Sequence, residues 1–368
     1  MIVANHASVL DFVNLLCAGK RVIRFVISRA YYYTLPFGML LRKMGLLEKQ
    51  QFQTNAADLM KMNRIVRQGY ALAIYPAGLM CADGRATPIP NATGHLLKWI
   101  DADVYAAVSS GAYFVRPKWA RNFRPGKTKI DIYRLFTKQE LRALTERQIQ
   151  SRLEQALDFD DYQTQRELRL PHRGGSDLRG LENVLYRCPC CAAEFQMQVR
   201  HRSTIVCAAC GFAETGDELG FLHHTAGPGE ERGLVSQWSR ENYACIRTEM
   251  ERNDDFRLAA KTDIQLLDCK KRRFCSVGEG TLVITRKSVV LDGRVNGQAF
   301  HLEKPAGVYP TVPFVPGRCL DLQDHELVYR CVPQDGKTCM KLVHGIEAAS
   351  ALAAQTVCGE GRADASQR

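Results

Sequence analysis

The stretch Asn5-His6-Ala7-Ser8-Val9-Leu10-Asp11 sets an imidazole and a carboxylate five positions apart, directly behind the apolar residues Ile2, Val3 and Ala4. By itself this spacing fits a helix start. Ser8 would be the N-cap and Asp11 its partner three residues on, a capping-box-like arrangement that leaves His6 in a loop. The sequence downstream gives the pair a different setting. Residues 22–27 and 71–75 are short β-branched or aromatic runs that read as buried strands, and residues 56–67 have helical spacing with Leu59, Met62, Ile65 and Val66 on one face. The second of those strands runs into Pro76-Ala77-Gly78, followed by Asp83-Gly84-Arg85 and Pro88-Ile89-Pro90. A helix then opens near Thr93-Gly94-His95, and residues 101–108 read as a further strand. Strands spaced by helices predict an α/β layer over residues 1–160.

The chain has 368 residues, enough for two or three domains. With 46% apolar and 24% charged residues it is balanced like a globular protein and unlike a disordered tail. No window reaches the ~18 uninterrupted apolar residues of a membrane-spanning helix. The longest candidates, residues 104–115 and 35–47, are too short, and Arg42 and Lys43 interrupt the second. Asn5, His6 and Asp11 fall where the apolar core of a signal peptide would run. Fourteen cysteines in a long chain with no export signal point to reduced thiols in a cytosolic compartment, some of them holding metal. The charge is lopsided. Residues 1–160 carry 23 Lys and Arg against 12 Asp and Glu, whereas residues 161–368 carry 27 of each, so the whole net charge of +11 sits on the first segment. A basic surface of that kind seeks phosphate, on nucleic acid, anionic lipid or a phosphorylated substrate.

Residues 161–183, with Arg173-Gly174-Gly175-Ser176, read as a polar linker. Cys188 and Cys191 form one C-x-x-C pair and Cys207 and Cys210 a second, with fifteen residues between them. Two such knuckles facing each other close four thiolates around zinc, so residues 184–222 are expected to be a zinc ribbon. Four sulfur ligands leave no open coordination position, which makes that metal structural. Gly211 suits the sharp turn behind the second pair, and Cys190 is the neighbour that could replace a ligand. Residues 223–272 read as a connecting segment with a polar helix over 237–260. Residues 273–356 form a β-rich unit in which 281–285, 288–291, 299–302 and 327–331 alternate apolar and polar residues. Its turn signals are Asp292-Gly293 and Asn296-Gly297, an amphipathic helix follows over 340–354, and residues 357–368 are expected to be a disordered tail.

Arg116, Lys118, Arg121, Arg124, Lys127 and Lys129 crowd one stretch, with Phe114, Trp119 and Phe123 interleaved. That pattern suits a nucleic-acid surface, an anionic membrane interface or a solvated basic loop. Residues 31–47 suit either a helix lying against lipid or one packed in a core.

The order N-H-x4-D, strand-Pro-x-Gly, then Thr-Gly before a helix and a strand resembles the glycerolipid acyltransferase superfamily, whose best known members are lysophosphatidate (1-acylglycerol-3-phosphate) acyltransferases. The resemblance covers roughly residues 2–150 and rests on Asn5, His6, Ser8 and Asp11 and on the spacing to Pro76 and Gly78. It implies a mixed sheet flanked by helices, with His6 as the general base toward a lysophospholipid hydroxyl and Asp11 orienting its imidazole. It also implies acyl-CoA or acyl-carrier protein as acyl donor. No acyl-enzyme is needed, so Ser8 and Cys17 are read as a cap and a core thiol. Candidate substrate-binding residues are Lys49, Gly78, Arg85, Arg116 and Lys118. Two positions depart from the family pattern: Ala77 stands where a Glu is usual, and Lys49 is the cation available where an Arg usually clamps the acceptor's phosphate. The family's membrane-associating N-terminal helices do not precede His6, so the domain is expected to be N-terminally truncated.

The C-terminal unit resembles a pleckstrin-homology-like barrel closed by one helix. These readings together predict an acyltransferase acting on a lysophospholipid, cytoplasmic and peripheral on the inner, anionic face of a membrane. The first alternative, favoured by Ala77, is a catalytically inactive lipid-binding or scaffold protein. The second is a zinc-ribbon nucleic-acid binder. The basic excess lies away from the ribbon, so nucleic acid is not the expected partner.

Overall fold

Val3 and Ala4 point to opposite faces of one strand and both are buried, so the sheet they belong to must be covered on both sides. The computed structural model describes residues 1–19, 21–34, 45–49 and 56–365, the side chains of 356–365 excepted. Strands β1 (Ile2–Ala4), β2 (Ile23–Ser28), β3 (Leu47–Lys49), β4 (Ala71–Ile74), β5 (Val104–Ser110) and β6 (Lys129–Phe136) lie in the order β3-β2-β4-β1-β5-β6. Neighbours are parallel except β5 with β6, which makes the sheet mixed.

Helix α1 (Asp11–Ala18) lays Leu15 on the face formed by Ala4, Ala73 and Ala107. Helices α2 (Arg29–Thr34) and α3 (Ala56–Arg67) follow, and Met62 of α3 packs against Leu72 and Ile100. The other face, with Val3, Ile74 and Ala106, is covered by Leu97 of α4 (Ala92–Ile100). The one-turn α5 (Ala112–Val115) and α6 (Lys138–Ala143) precede α7 (Glu146–Leu157), whose Ile149 and Leu153 complete that layer. Capping boxes Thr137/Glu140 and Thr145/Gln148 fix where α6 and α7 begin. Of the stretch 31–47, residues 35–44 lie outside the described residues, so the interfacial-helix reading falls there.

The segment expected as a linker, residues 161–183, is packed. It begins as α8 (Asp161–Leu168), and Tyr162, Leu178 and Leu181 share a core with Tyr113, Phe114 and Trp119. The Asp161 carboxylate accepts the N–H groups of Gly111 and Tyr113 at 3.1 and 3.0 Å. Polar composition misled here because the polar groups are spent inward on backbone donors instead of on water.

A second sheet, β7 (Met197–Arg200), β8 (Thr204–Cys207), β9 (Ala213–Gly216) and β10 (Leu222–Ala226), is an antiparallel meander around the four paired cysteines. Helix α9 (Val235–Arg252) is followed directly by β11 (Arg257–Asp268), so the helix expected to reach residue 260 stops eight residues sooner. The turn at Asn253-Asp254-Asp255, with Asp255 N–H donating to Asn253 Oδ1, makes the break.

Strands β11, β12 (Arg273–Thr285), β13 (Ser288–Val295), β14 (Gln298–Pro305), β15 (Phe314–Val315), β16 (Cys319–Asp324) and β17 (Leu327–Pro333) form one antiparallel sheet in the order β14-β13-β12-β11-β17-β16-β15. Helix α10 (Cys339–Ala365) covers its core through Met340, Leu342, Val343 and Ile346. This helix continues well past residue 357, where a disordered tail was expected. The expected closed barrel is an open sheet: β14 and β15 end the order and share no ladder among the described residues. Asn296-Gly297, both with positive φ, is the β13–β14 hairpin turn. Asp292-Gly293 is not a turn. Gly293 lies inside β13 opposite Gly280, where a Cβ would sit 2.2 Å from the Glu279 carbonyl oxygen, so glycine is there for close strand approach.

Gly94 performs a similar service between helices. A Cβ there would lie 2.7 Å from the Glu146 carbonyl oxygen and 3.2 Å from Gln150, whose Oε1 takes the Gly94 N–H at 2.9 Å. Gly94→Ala is expected to separate α4 from α7 and cost about 1–3 kcal/mol, read as a lower urea midpoint; an unchanged midpoint would show that the two helices yield freely.

Candidate active site

The parallel strands β1 and β4 are neighbours, so the loops leaving their carboxyl ends lie side by side, the usual place for a site in such a sheet. The first loop carries His6 and the second carries Tyr75. Asn5 fixes the start of the first: its Nδ2 donates to Ser109 O and its Oδ1 accepts Ser109 N–H, both at 2.8 Å, stapling the end of β1 to β5. The chain then turns back so that Asp11, at the start of α1, faces His6.

The Asp11 carboxylate is 2% exposed. Its Oδ2 accepts the N–H groups of Ala7 at 2.8 Å and Ser8 at 2.9 Å, and stands 2.9 Å from His6 Nδ1. With Nδ1–H donating to the carboxylate, Nε2 is the ring nitrogen left to take a proton, and it has no protein partner among the described residues. Tyr75 lies flat against the imidazole, with ring centroids 4.4 Å apart and planes 25° apart. Burial, reinforced by the Asp11 charge, pushes the Tyr75 phenol's pKa up, so it stays neutral and serves as a wall. From the neighbouring loop, Cys81 N–H donates to His6 O at 3.1 Å, and Gly78, with φ +68, closes a turn onto Tyr75 O at 2.9 Å. An imidazole tied to a buried carboxylate through one nitrogen and open at the other is arranged for general-base chemistry.

Residues 1–115 match the family model Acyltransferase. That stretch contains His6, Asp11, Tyr75 and Gly78, while Arg116, Lys118 and the four cysteines lie beyond it. Among solved structures the chain is similar to the 1-acyl-sn-glycerophosphate (LPA) acyltransferase PlsC from Thermotoga maritima, at 20% identity and a TM-score of 0.31, over 42% of this chain and 64% of that one. It is also similar to the Ran binding domain of the nuclear complex component Nup2 from Ashbya gossypii, at 15% identity and a TM-score of 0.22, over 26% of this chain and 93% of that one. Both TM-scores are too low to imply a shared overall fold. No curated protein matches the chain.

The candidate substrate residues do not gather as expected. Gly78 is beside His6, through the turn onto Tyr75. Lys49 sits on β3, three strands from β1 and so about 14 Å away across the sheet; burial lowers its pKa, with Asp58 opposing. Arg85 lies in a loop bridged to Asp160. The Arg116 guanidinium stacks 4.4 Å over Phe123. Lys118 is not a surface cation: its Nζ donates to Met80 O at 3.2 Å and lies 3.5 Å over the Phe314 ring, where burial pushes its pKa down to about 8. The aromatic residues of that basic stretch also turn inward. Phe114 and Trp119 are buried, and only Phe123 is exposed. Cys17 is exposed, not a core thiol. Ser8 is buried but does not cap α1: Leu10 holds the N-cap position, and Ser8 Oγ accepts the Leu10 N–H, at 3.4 Å, instead of an N–H of the helix. The sequence reading missed Tyr75, whose signal was an aromatic residue at the end of a strand just before Pro76.

The cysteine pairs meet. All four Sγ atoms lie within 4.8 Å of one another, with Cys188–Cys210 at 3.7 Å and Cys191–Cys207 at 3.8 Å. These are far longer than a disulfide and equal the ~3.8 Å edge of a tetrahedron with metal–sulfur bonds of about 2.3 Å. Each knuckle is built alike: Cys188 N–H donates to Ala193 O and Cys207 N–H to Phe212 O, and Ala192 and Gly211 occupy the same left-handed position. Cys190 stands outside the cluster; its N–H donates to Cys188 Sγ at 3.4 Å.

Asp11→Ala would leave the buried Ala7 and Ser8 amides without an acceptor. It is expected to cost about 2–4 kcal/mol in denaturant unfolding, and Asp11→Asn, which keeps an acceptor oxygen, clearly less. Equal losses in the two variants would mean that the carboxylate's charge, and not its hydrogen bonds, holds the loop.

Proposed function

We propose that this protein transfers a fatty acyl group from an acyl thioester, acyl-CoA or acyl-carrier protein, to the hydroxyl of a lysophospholipid of the lysophosphatidate kind. The observation that carries this is the His6–Asp11 pair, held by the Ala7 and Ser8 amides within the stretch that matches the Acyltransferase family. His6 Nε2 takes the hydroxyl proton as the oxygen attacks the thioester carbonyl. The carbon–sulfur bond breaks, and the imidazolium returns the proton to the departing thiolate, leaving an ester and a thiol. Asp11 holds the tautomer and stabilises the imidazolium. Tyr75 keeps the ring from swinging away from its base position.

Cys188, Cys191, Cys207 and Cys210 hold a zinc ion as the core of a zinc ribbon; the metal would cross-link the two knuckles and has no open position for chemistry. The C-terminal sheet with its helix serves as a pleckstrin-homology-like binding unit. No described helix is long and apolar enough to cross a membrane, and the lysolipid acceptor is met at a membrane surface, on its anionic inner face. A second reading has a specific observation behind it. Ala77, 8% exposed beside Gly78, brings no polar group to the site, which favours a lipid-binding scaffold without activity.

Incubation of the full chain with labelled acyl-CoA and lysophosphatidate should give labelled phosphatidate, and His6→Ala should lower the rate by about 10²–10⁴-fold. No product from either protein, with liposome binding retained, would establish the scaffold instead. Elemental analysis should return about one zinc per chain, lost together with part of the thermal stability in Cys207→Ser. Full stability of the metal-free protein would refute the structural role.

A further inference from the structure

Away from His6, a cavity of about 420 Å³ opens where three parts of the chain meet: the loop 120–124 after α5, residues 173–177 before the cysteine module, and the β7–β8 turn at 201–203. None of its lining residues touches His6 or Asp11. Four arginines, Arg121, Arg124, Arg173 and Arg202, line it with one carboxylate, that of Asp177, and Glu218 binds the same segment, accepting the Gly174 N–H and the Ser176 hydroxyl at 2.9 and 3.0 Å. Asp177 is already committed. Its oxygens take a bidentate pair from Arg179, and the link to Arg202 is a long 3.4 Å contact with the arginine 68% exposed. Arg124 is buried, stacked 4.7 Å from the Trp119 ring centroid and donating to Asp177 O. Arg121 and Arg173 are exposed, and neither guanidinium has an ion pair or hydrogen bond among the described residues.

The positions of these side chains are set by the backbone. Arg173 N–H is held by Pro125 O at 2.8 Å, which joins two of the three segments. His201 and Arg202 both adopt left-handed backbone angles, φ +49 and +69, unusual for a residue such as arginine, and so the tight turn carries two basic side chains to the cavity rim. Phe123, 51% exposed, adds an aromatic face beside them.

We propose that this cavity binds a ligand bearing phosphate groups. Guanidinium forks match phosphate oxygens in pairs, and the guanidinium groups of Arg121 and Arg173 stand at the rim free of any protein partner among the described residues. The volume suits a small molecule or the headgroup of a larger one. Two sources supply that chemistry: a soluble nucleotide phosphate or a phospholipid headgroup. The site is independent of the acyl-transfer reading, because its test measures binding alone.

The full chain is titrated by calorimetry with adenosine 3′,5′-bisphosphate and with inorganic pyrophosphate, and sedimented with phosphatidylcholine vesicles with and without phosphatidate. Saturable binding to at least one phosphate probe is expected. The double variant Arg121→Glu/Arg173→Glu should weaken it at least about tenfold, while Arg318→Glu, at an exposed arginine in the β15–β16 turn that does not line the cavity, leaves it unchanged. Preference for the bisphosphate assigns the soluble source and preference for phosphatidate vesicles the lipid source. Equal losses in both variants would reduce the effect to net charge and overturn the proposal. So would the absence of saturable binding to every probe. Retained circular dichroism and an unchanged melting temperature in the double variant exclude misfolding as the cause of a loss.

Discussion

One oxygen, Asp11 Oδ2, meets the Ala7 amide, the Ser8 amide and the His6 imidazole at once. A buried carboxylate is costly unless its lone pairs are satisfied, and here the backbone of the same loop that presents the histidine satisfies Oδ2, while Oδ1 has no hydrogen-bond partner among the described residues. The arrangement is therefore self-consistent over seven residues. The carboxylate holds the loop, and the loop aims the ring at the carboxylate. Because α1 starts at Asp11, the amide groups of its opening turn favour the same negative charge.

The loop does not stand alone. Asn5 binds it to β5, Cys81 N–H reaches His6 O from the β4 side, and Tyr75 covers one face of the imidazole. Lys118 extends this chain of contacts to the C-terminal sheet. Its ammonium holds the Met80 carbonyl next to Cys81 while lying over Phe314 of the C-terminal sheet. A residue expected to meet substrate phosphate is instead a half-buried strut between the first α/β layer and the sheet that follows the cysteine module. The basic character of the first segment is thus split. Lys118 and Arg124 are spent on internal carbonyls and aromatic rings, whereas Arg121 stays exposed at the rim of the cavity.

Where expectation and structure part, the cause is similar each time. The polar stretch 161–183 was read as a linker because its residues favour water, yet Asp161 and Gln165 find backbone partners and go inside. Asp292-Gly293 looked like a hairpin signal, but Gly293 answers a requirement for closeness to Gly280 that is visible only when β12 is alongside. Strands β11, β15 and β16 left little trace in the sequence: β15 is two residues long, β16 buries the polar Asp321 and Gln323, and β11 gains its second neighbour only from β17, far along the chain. The cysteine pairs were legible because a knuckle is local: the hydrogen bonds that shape it span five residues.

The sequence by itself determined the features whose physics is short-ranged: the imidazole and carboxylate five residues apart, the two C-x-x-C knuckles, the alternation of strand and helix in the first 160 residues, and the Asn296-Gly297 turn. The tertiary structure decided which of the scattered basic residues face solvent, which aromatic residues line the site, and that the C-terminal strands form an open sheet. Those outcomes depend on burial, and burial is a property of what the rest of the chain places nearby. A lysine or tyrosine reads the same in sequence whether water or a phenylalanine ring will lie against it.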